Sequence, residues 1–242
     1  MDRRHLQLTE SFIADDLRQM QLAPNYNNWL YSIVKPHLGK RVIEVGAGIG
    51  NMTRFLLRDA EFVLAIEPNH ACNLELQKLE HSPQQFETFE WTIEDSIEDY
   101  IRNLECDTVL CMNVIEHIHD DHQVMEKFKM YLPNGGRVIL LVPAVPLAYG
   151  PIDKAVGHFR RYSKKSLQQL SEKSGMKIDS IKYSNFPGLM GWFYNAHITK
   201  IIQQNDNQIQ VFNNLVPYIE TVERIIPPPI GLSLVSVSYW DQ

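Results

Sequence analysis

Three short segments concentrate the residues that could do chemistry. The first is EVGAGIG, residues 44–50, followed by Asn51 and Met52, with Glu67 and Pro68 further on. Glycines at 46, 48 and 50 permit a tight turn and let a ligand come close to the backbone. Amides at the start of the helix that follows would favour an anionic group. Glu67 closes a second apolar run, where a carboxylate can accept hydrogen bonds from both hydroxyls of a ribose. The spacing is G-x-G-x-G. A dinucleotide fingerprint, G-x-G-x-x-G, would need glycine at 51, where Asn51 stands.

The second segment is NVIEHIHDDH, residues 113–122. Its Asn113 and Val114 fall just after an apolar run and so near the same ligand. Glu116, His117, His119 and His122 are metal-ligand types at helical spacing, but ligand types alone do not make a coordination geometry, and no metal is expected. Asp120 and Asp121 read more simply as the start of a helix. His117 is expected to remove a proton, because an imidazole titrates near neutrality. The third segment is YGPIDKAVGHFRRYS, residues 149–163. Tyr149, Asp153, His158, Arg160, Arg161 and Tyr162 crowd into one loop. An arginine pair there could hold a carboxylate or phosphate, and His158 is a second candidate base. Against this stands a solvated turn, with Lys154, Lys164 and Lys165 as surface charge.

The elements that must position these segments alternate between strand and helix. Strands are expected at 42–45, 62–67, 86–93, 107–114 and 137–143, with helices at 51–58, 71–79 and 120–132 between them. Apolar middles without alternation imply strands buried on both faces of a parallel sheet. A helix at 163–174 has Ser163 as N-cap and Gly175 as its stop. A strand at 176–183 follows. A helical insert at 186–228 precedes a terminal strand at 232–240. The fold class is therefore α/β, a Rossmann-like doubly wound sheet in a single domain over 1–242. Residues 1–40 form an N-terminal helical lid and 143–162 a substrate loop.

Composition narrows the partners. The chain has 242 residues, 44% hydrophobic, with a net charge of -6. An acidic balance argues against gripping nucleic acid, which needs a basic face. Cys72, Cys106 and Cys111 form no C-x-x-C pair, which suits a reducing compartment such as the cytoplasm. The longest uncharged stretch, 183–199, is too short and polar to span a membrane. It contains Trp192, and it suits an apolar lid over substrate, a homodimer face or ordinary core.

Taken together, these motifs resemble class I S-adenosylmethionine-dependent methyltransferases across nearly the whole chain. That resemblance implies a seven-stranded sheet whose last strand is antiparallel. It implies that Glu44, Gly46, Ala47, Gly48, Gly50, Asn51 and Met52 surround the methionine part of the cofactor. Glu67 and Pro68 would take the ribose, and Asn113 and Val114 would line the reactive end. Thr92 aligns with an acid common in the family, and Trp91 or Ile93 would pack on the adenine. Tyr26 or Trp29 would close over the cofactor, or Trp29 and Leu30 would simply pack a leading helix. The pattern G-x-x-D-x-x-x-G-H-x-R-R-Y resembles a bacterial subgroup associated with glycosyl transfer and secondary metabolism. This suggests a small-molecule or glycan-like acceptor, methylated at oxygen or nitrogen and contacted by Tyr149, Asp153, Arg160, Arg161, Tyr162 and Trp192. The rival readings are a nicotinamide-dependent oxidoreductase and a non-catalytic S-adenosylmethionine-binding protein.

Overall fold

A computed structural model describes residues 20–92, 97–195 and 206–241. In chain order these form helix α1 (Pro24–Val34), strand β1 (Arg41–Val45), α2 (Thr53–Asp59), β2 (Phe62–Ile66), α3 (His70–Leu76) and β3 (Phe86–Phe89). Next come α4 (Glu98–Asn103), β4 (Thr108–Met112), α5 (Asp121–Tyr131), β5 (Arg137–Pro143), α6 (Pro151–Ala155) and α7 (Lys164–Lys173). The remainder is β6 (Lys177–Ser184), α8 (Phe186–Tyr194), α9 (Asp206–Ile225) and β7 (Ser233–Tyr239). The strands make one seven-stranded sheet in the order β3-β2-β1-β4-β5-β7-β6. The β1–β2, β1–β4, β2–β3 and β4–β5 pairings are parallel. Only β7 runs against its neighbours, as the resemblance implied.

The uninterrupted apolar runs follow from helices covering both faces. Alternate residues of β1 go to opposite layers: Ile43 packs with Ile101, Val124, Phe128 and Leu167, while Val42 packs with Leu30, Val34, Leu56 and Leu76. β5 divides likewise, with Val138 and Leu140 on one side and Ile139 and Leu141 on the other. With period 2, a one-residue slip would exchange these layers, so burial on both sides fixes register only together with strand ends and loops.

Helix boundaries are chemically marked. Ser163 Oγ accepts from Ser166 N at 3.0 Å, Asp120 Oδ1 from Gln123 N at 3.0 Å, and Asn69 Oδ1 from Cys72 N at 3.0 Å. Gly175, at φ +72°, ends α7 as expected. Some expectations need correction. β3 stops at Phe89, so Thr92 lies beyond the strand. Residues 143–162 are not one irregular loop: a 3₁₀ turn at Pro146–Ala148 and the short α6 lie within them, each starting at a proline whose fixed φ suits a first helical turn. Ile93, residues 1–19 of the lid and residues 196–205 of the insert lie outside the described residues.

α1 carries no side-chain cap of its own. Its first turn is capped instead from α9: the Asn213 amide oxygen accepts from Asn25 N at 2.9 Å and Tyr26 N at 3.1 Å. Asn25 Nδ2 returns a bond to the Asn213 carbonyl at 3.0 Å. α1 is thus tied to α9 by one buried side chain. Among the described residues, no helix is long and apolar enough to cross a membrane. Asn213→Ala leaves the helix start uncapped and should cost about 1–2 kcal/mol in urea unfolding, with Asn213→Asp costing less. Equal stability of the alanine variant and the parent would show that the cap contributes nothing.

Candidate functional site

Strand order reverses between β1 and β4. In an open sheet, the crevice beyond the carboxyl ends at that reversal is where ligands bind. The first motif follows β1 and the second follows β4, so the topology brings them to this one place. Gly46, Gly48 and Gly50 all have positive φ, +73°, +56° and +83°. A Cβ on Gly46 would meet Val114 Cγ2 at 2.2 Å, so a side chain is excluded there by contact as well as by conformation. The loop is held to β2 by Gly46 N donating to Ile66 O at 2.8 Å.

Two buried carboxylates stand behind this loop. Glu67 accepts from Gly48 N at 2.8 Å on one oxygen and from Asn69 N at 2.9 Å on the other. Each oxygen keeps a lone pair for a further donor. Burial raises its pKa, and the Asn69 and Gly48 amides oppose the rise. Glu44 accepts from Thr53 Oγ1 at 2.6 Å. Burial pushes its pKa up to about 8, against the Thr53 hydroxyl and with a smaller contribution from Glu67. Ala47 and Met52 pack into the core beside Leu56 and Leu76, so their main chain faces the crevice rather than their side chains. Asn113 is exposed, at φ +53°, with its N–H on Leu141 O at 2.8 Å. Pro68 and Thr92 are exposed, and Asn51 is partly buried. Tyr26 is half-buried, edge-on to Trp29 and to Phe212 of α9.

One strand along, a second constellation forms between the ends of β4 and β5. Asp153 is fully buried. It accepts from His158 Nδ1 at 2.8 Å, Arg161 Nε at 2.8 Å and Gly150 N at 2.9 Å. Burial alone would raise the Asp153 pKa, but these bonds, with His158 first, outweigh it and hold the carboxyl below its usual range. The bond to Nδ1 leaves His158 Nε2 facing Glu116 Oε1 at 3.8 Å. The His117 ring lies edge-on to His158, 4.7 Å between centroids. Glu116 is fully buried, its carboxyl pushed up to about 8 by that burial. No other residue among those described donates a hydrogen bond to either of its oxygens. Main chain locks the assembly: Phe159 N donates to Glu116 O at 2.8 Å and Tyr149 Oη to His158 O at 2.8 Å. Val145, a β-branched residue at φ +61°, is held in that conformation by its N–H on Tyr162 O at 3.0 Å.

Several expectations change here. Arg160 and Arg161 do not form a paired clamp. Arg160 goes to His119 O and Asp121, while Arg161 is buried on Asp153 and Ala144 O with its guanidinium over Trp192. Trp192 Nε1 is committed to Ala148 O at 3.3 Å. Tyr162 is buried with its hydroxyl on Asp121 at 2.9 Å. Asp153, Arg161 and Tyr162 are thus buried and bonded within the fold, Trp192 is half-buried, and Tyr149 and Arg160 are tied to backbone carbonyls. His117 is a weaker base than expected: burial, then the neighbouring His158, push its pKa down to about 4. Sequence reasoning named Glu116 among metal-ligand types but did not place it beside His158, forty-two residues along the chain. It also missed Thr53, whose hydroxyl partners Glu44 across the glycine loop.

Comparison with known proteins agrees with this geometry. The sequence model of a methyltransferase domain matches residues 16–181, more than half of the chain. An uncharacterised methyltransferase from Bacillus thuringiensis is 26% identical over 133 residues, 54% of this chain and 59% of its own length. The chain thus spans less than two thirds of the length of that relative. Among solved structures, an S-adenosylmethionine-dependent methyltransferase from Thermotoga maritima has a TM-score of 0.62 at 16% identity, covering 97% of this chain and 99% of that one. The [4+2]-cyclase SpnF has a TM-score of 0.57 at 12% identity, covering 88% and 80%. At such identities the likeness is one of fold, and the fold carries more than one reaction. The glycine loop, the ribose-type acid and the family match agree, and the chain belongs to the methyltransferase-domain family, whose cofactor is S-adenosylmethionine.

Proposed function

We propose that this chain transfers a methyl group from S-adenosylmethionine to an oxygen or nitrogen of a small-molecule acceptor. The observation that carries the reading is Glu67. It is buried, pinned by the Gly48 and Asn69 amides, and has one lone pair free on each oxygen at the switch-point crevice. That fits a ribose diol. The residues present also fit the rest of the cofactor. The Gly46–Val114 contact leaves bare backbone beside the reactive end, and Glu44 offers a carboxylate toward an ammonium group. When bound, the cofactor supplies a methyl on a sulfonium, already a good leaving group.

What the chain must add is position. Well-oriented reactants gain roughly 7–11 kcal/mol over free encounter in favourable cases. Tyr26, braced against Trp29 and Phe212, and the α1–α9 tie would close over the bound cofactor. The Glu116–His117–His158 cluster, through Glu116 and His117, follows Asn113 and Val114 in the turn after β4, where an acceptor would lie. It is the place for an acceptor proton to be handled. An acidic chain with Arg160 and Arg161 both internally committed favours a small acceptor over nucleic acid.

Radiolabelled methyl transfer over a panel of hydroxylated and amino acceptors tests the activity, with Glu67→Ala as its control. That variant removes two hydrogen bonds and should weaken S-adenosylmethionine about 10–100-fold in calorimetry. Unchanged affinity would remove Glu67 from the site.

The raised pKa of Glu44 has a signed consequence. A carboxyl near 8 in the folded chain and about 4.3 unfolded binds its proton more tightly when folded. Its contribution to stability is full below about pH 4.3 and is lost as pH rises toward 8. Glu116 acts in the same direction. Glu44→Gln should therefore make the fall in cofactor-free stability between pH 5 and 8 shallower, read by urea unfolding at each pH. An identical slope in the two proteins would show that Glu44 ionises normally.

A further inference from the structure

We infer that Glu116, His117 and His158 form a binding site for one divalent transition-type cation. Two of these ligands come from the 3₁₀ turn after β4 and the third from the loop after α6, some forty residues along the chain. One ligand atom from each residue lies within 4.8 Å of the other two. Ligand atoms about 2.0–2.1 Å from a zinc-type ion stand roughly 3.4 Å apart in a tetrahedral site. His158 Nε2 and Glu116 Oε1 are at 3.8 Å, so closing requires only a small side-chain movement.

Three independent features favour a cation over a self-contained polar cluster. First, both oxygens of Glu116 are fully buried and receive no hydrogen bond from another residue among those described. A buried carboxylate so placed is costly unless something positive meets it. Second, Asp153 holds His158 Nδ1, which turns Nε2 toward the Glu116 carboxylate. That nitrogen and the carboxylate oxygen can approach only across a proton or a cation. Third, the His117 ring lies edge-on to His158 with 4.7 Å between centroids, which brings a second imidazole to the same centre. A carboxylate behind an imidazole, as Asp153 stands behind His158, is the usual support of a metal-ligating histidine.

Two imidazoles and one carboxylate suit zinc, cobalt, manganese or iron(II), and suit magnesium or calcium poorly, since those prefer all-oxygen shells. Three protein ligands leave a coordination position open. On the methyltransferase reading, an acceptor hydroxyl would occupy it. The cation would lower that hydroxyl's pKa, and its proton would leave to water. His158 then acts as a ligand rather than as the base.

The test titrates metal-stripped full-length protein with Zn²⁺, Co²⁺, Mn²⁺ and Mg²⁺ by calorimetry, and follows Co²⁺ by its visible absorption. S-adenosylmethionine affinity is measured on the same samples. The expected result is one equivalent of Zn²⁺ or Co²⁺ per chain, not displaced by equimolar Mg²⁺. Glu116→Gln and His158→Asn should abolish it, and Asp153→Asn should weaken it about 10–100-fold. His122→Ala, on a surface histidine outside the cluster, should bind as the parent does. Absence of stoichiometric binding by the parent, or equal binding by Glu116→Gln and His158→Asn, would overturn the site. Intact S-adenosylmethionine binding alongside that result leaves the methyltransferase reading standing. Metal bound without S-adenosylmethionine binding would sink that reading and keep the site.

Discussion

Val114 stands where a side chain at position 46 would have to go. That contact, 2.2 Å to an ideal Cβ, joins the loop after β1 to the loop after β4 at the point where the sheet reverses. Parallel strands buried on both faces set the two loops side by side, and only glycine lets them touch. The remaining geometry of the crevice hangs on this approach. Gly48 turns its amide to Glu67, Glu67 is fixed by it at the end of β2, and Asn113 takes a left-handed conformation as the chain leaves β4.

A second buried carboxylate organises the neighbouring region by a different principle. Asp153 neutralises Arg161 and orients His158, and Arg161 in turn holds the chain at Ala144 and underlies Trp192 of the insert. Removing one member of such a network leaves an uncompensated charge in a place without water, which is why these residues act as framework. The hub spends the polar residues of the third motif on architecture. What it leaves without a hydrogen bond from another described residue is the buried Glu116 carboxyl, faced by His158 Nε2 at 3.8 Å.

The two halves of the chain were not equally readable. β5 over Arg137–Pro143 and the cap at Ser163 follow directly from apolar runs and local hydrogen-bonding chemistry. The glycine loop and Glu67 were legible because strand, turn, helix, strand and acid occur in sequence order. Residues 149–163 have the types of a substrate site, and in the structure Asp153, Arg161 and Tyr162 are bonded within the fold. Whether Arg161 meets a ligand or Asp153 depends on a fold-back of eight residues, which spacing does not reveal. The cap on α1 and the meeting of Glu116 with His158 were hidden for the same reason: each joins residues far apart in the chain.

The central claim is that the crevice between β1 and β4 selects S-adenosylmethionine. The direct measurement is equilibrium binding of S-adenosylmethionine and of reduced nicotinamide dinucleotide to the unmodified protein, singly and in competition. Saturable binding of S-adenosylmethionine at one site, unaffected by the dinucleotide, is the predicted result. Saturable binding of the dinucleotide, displaced by neither S-adenosylmethionine nor its demethylated product, would contradict the account.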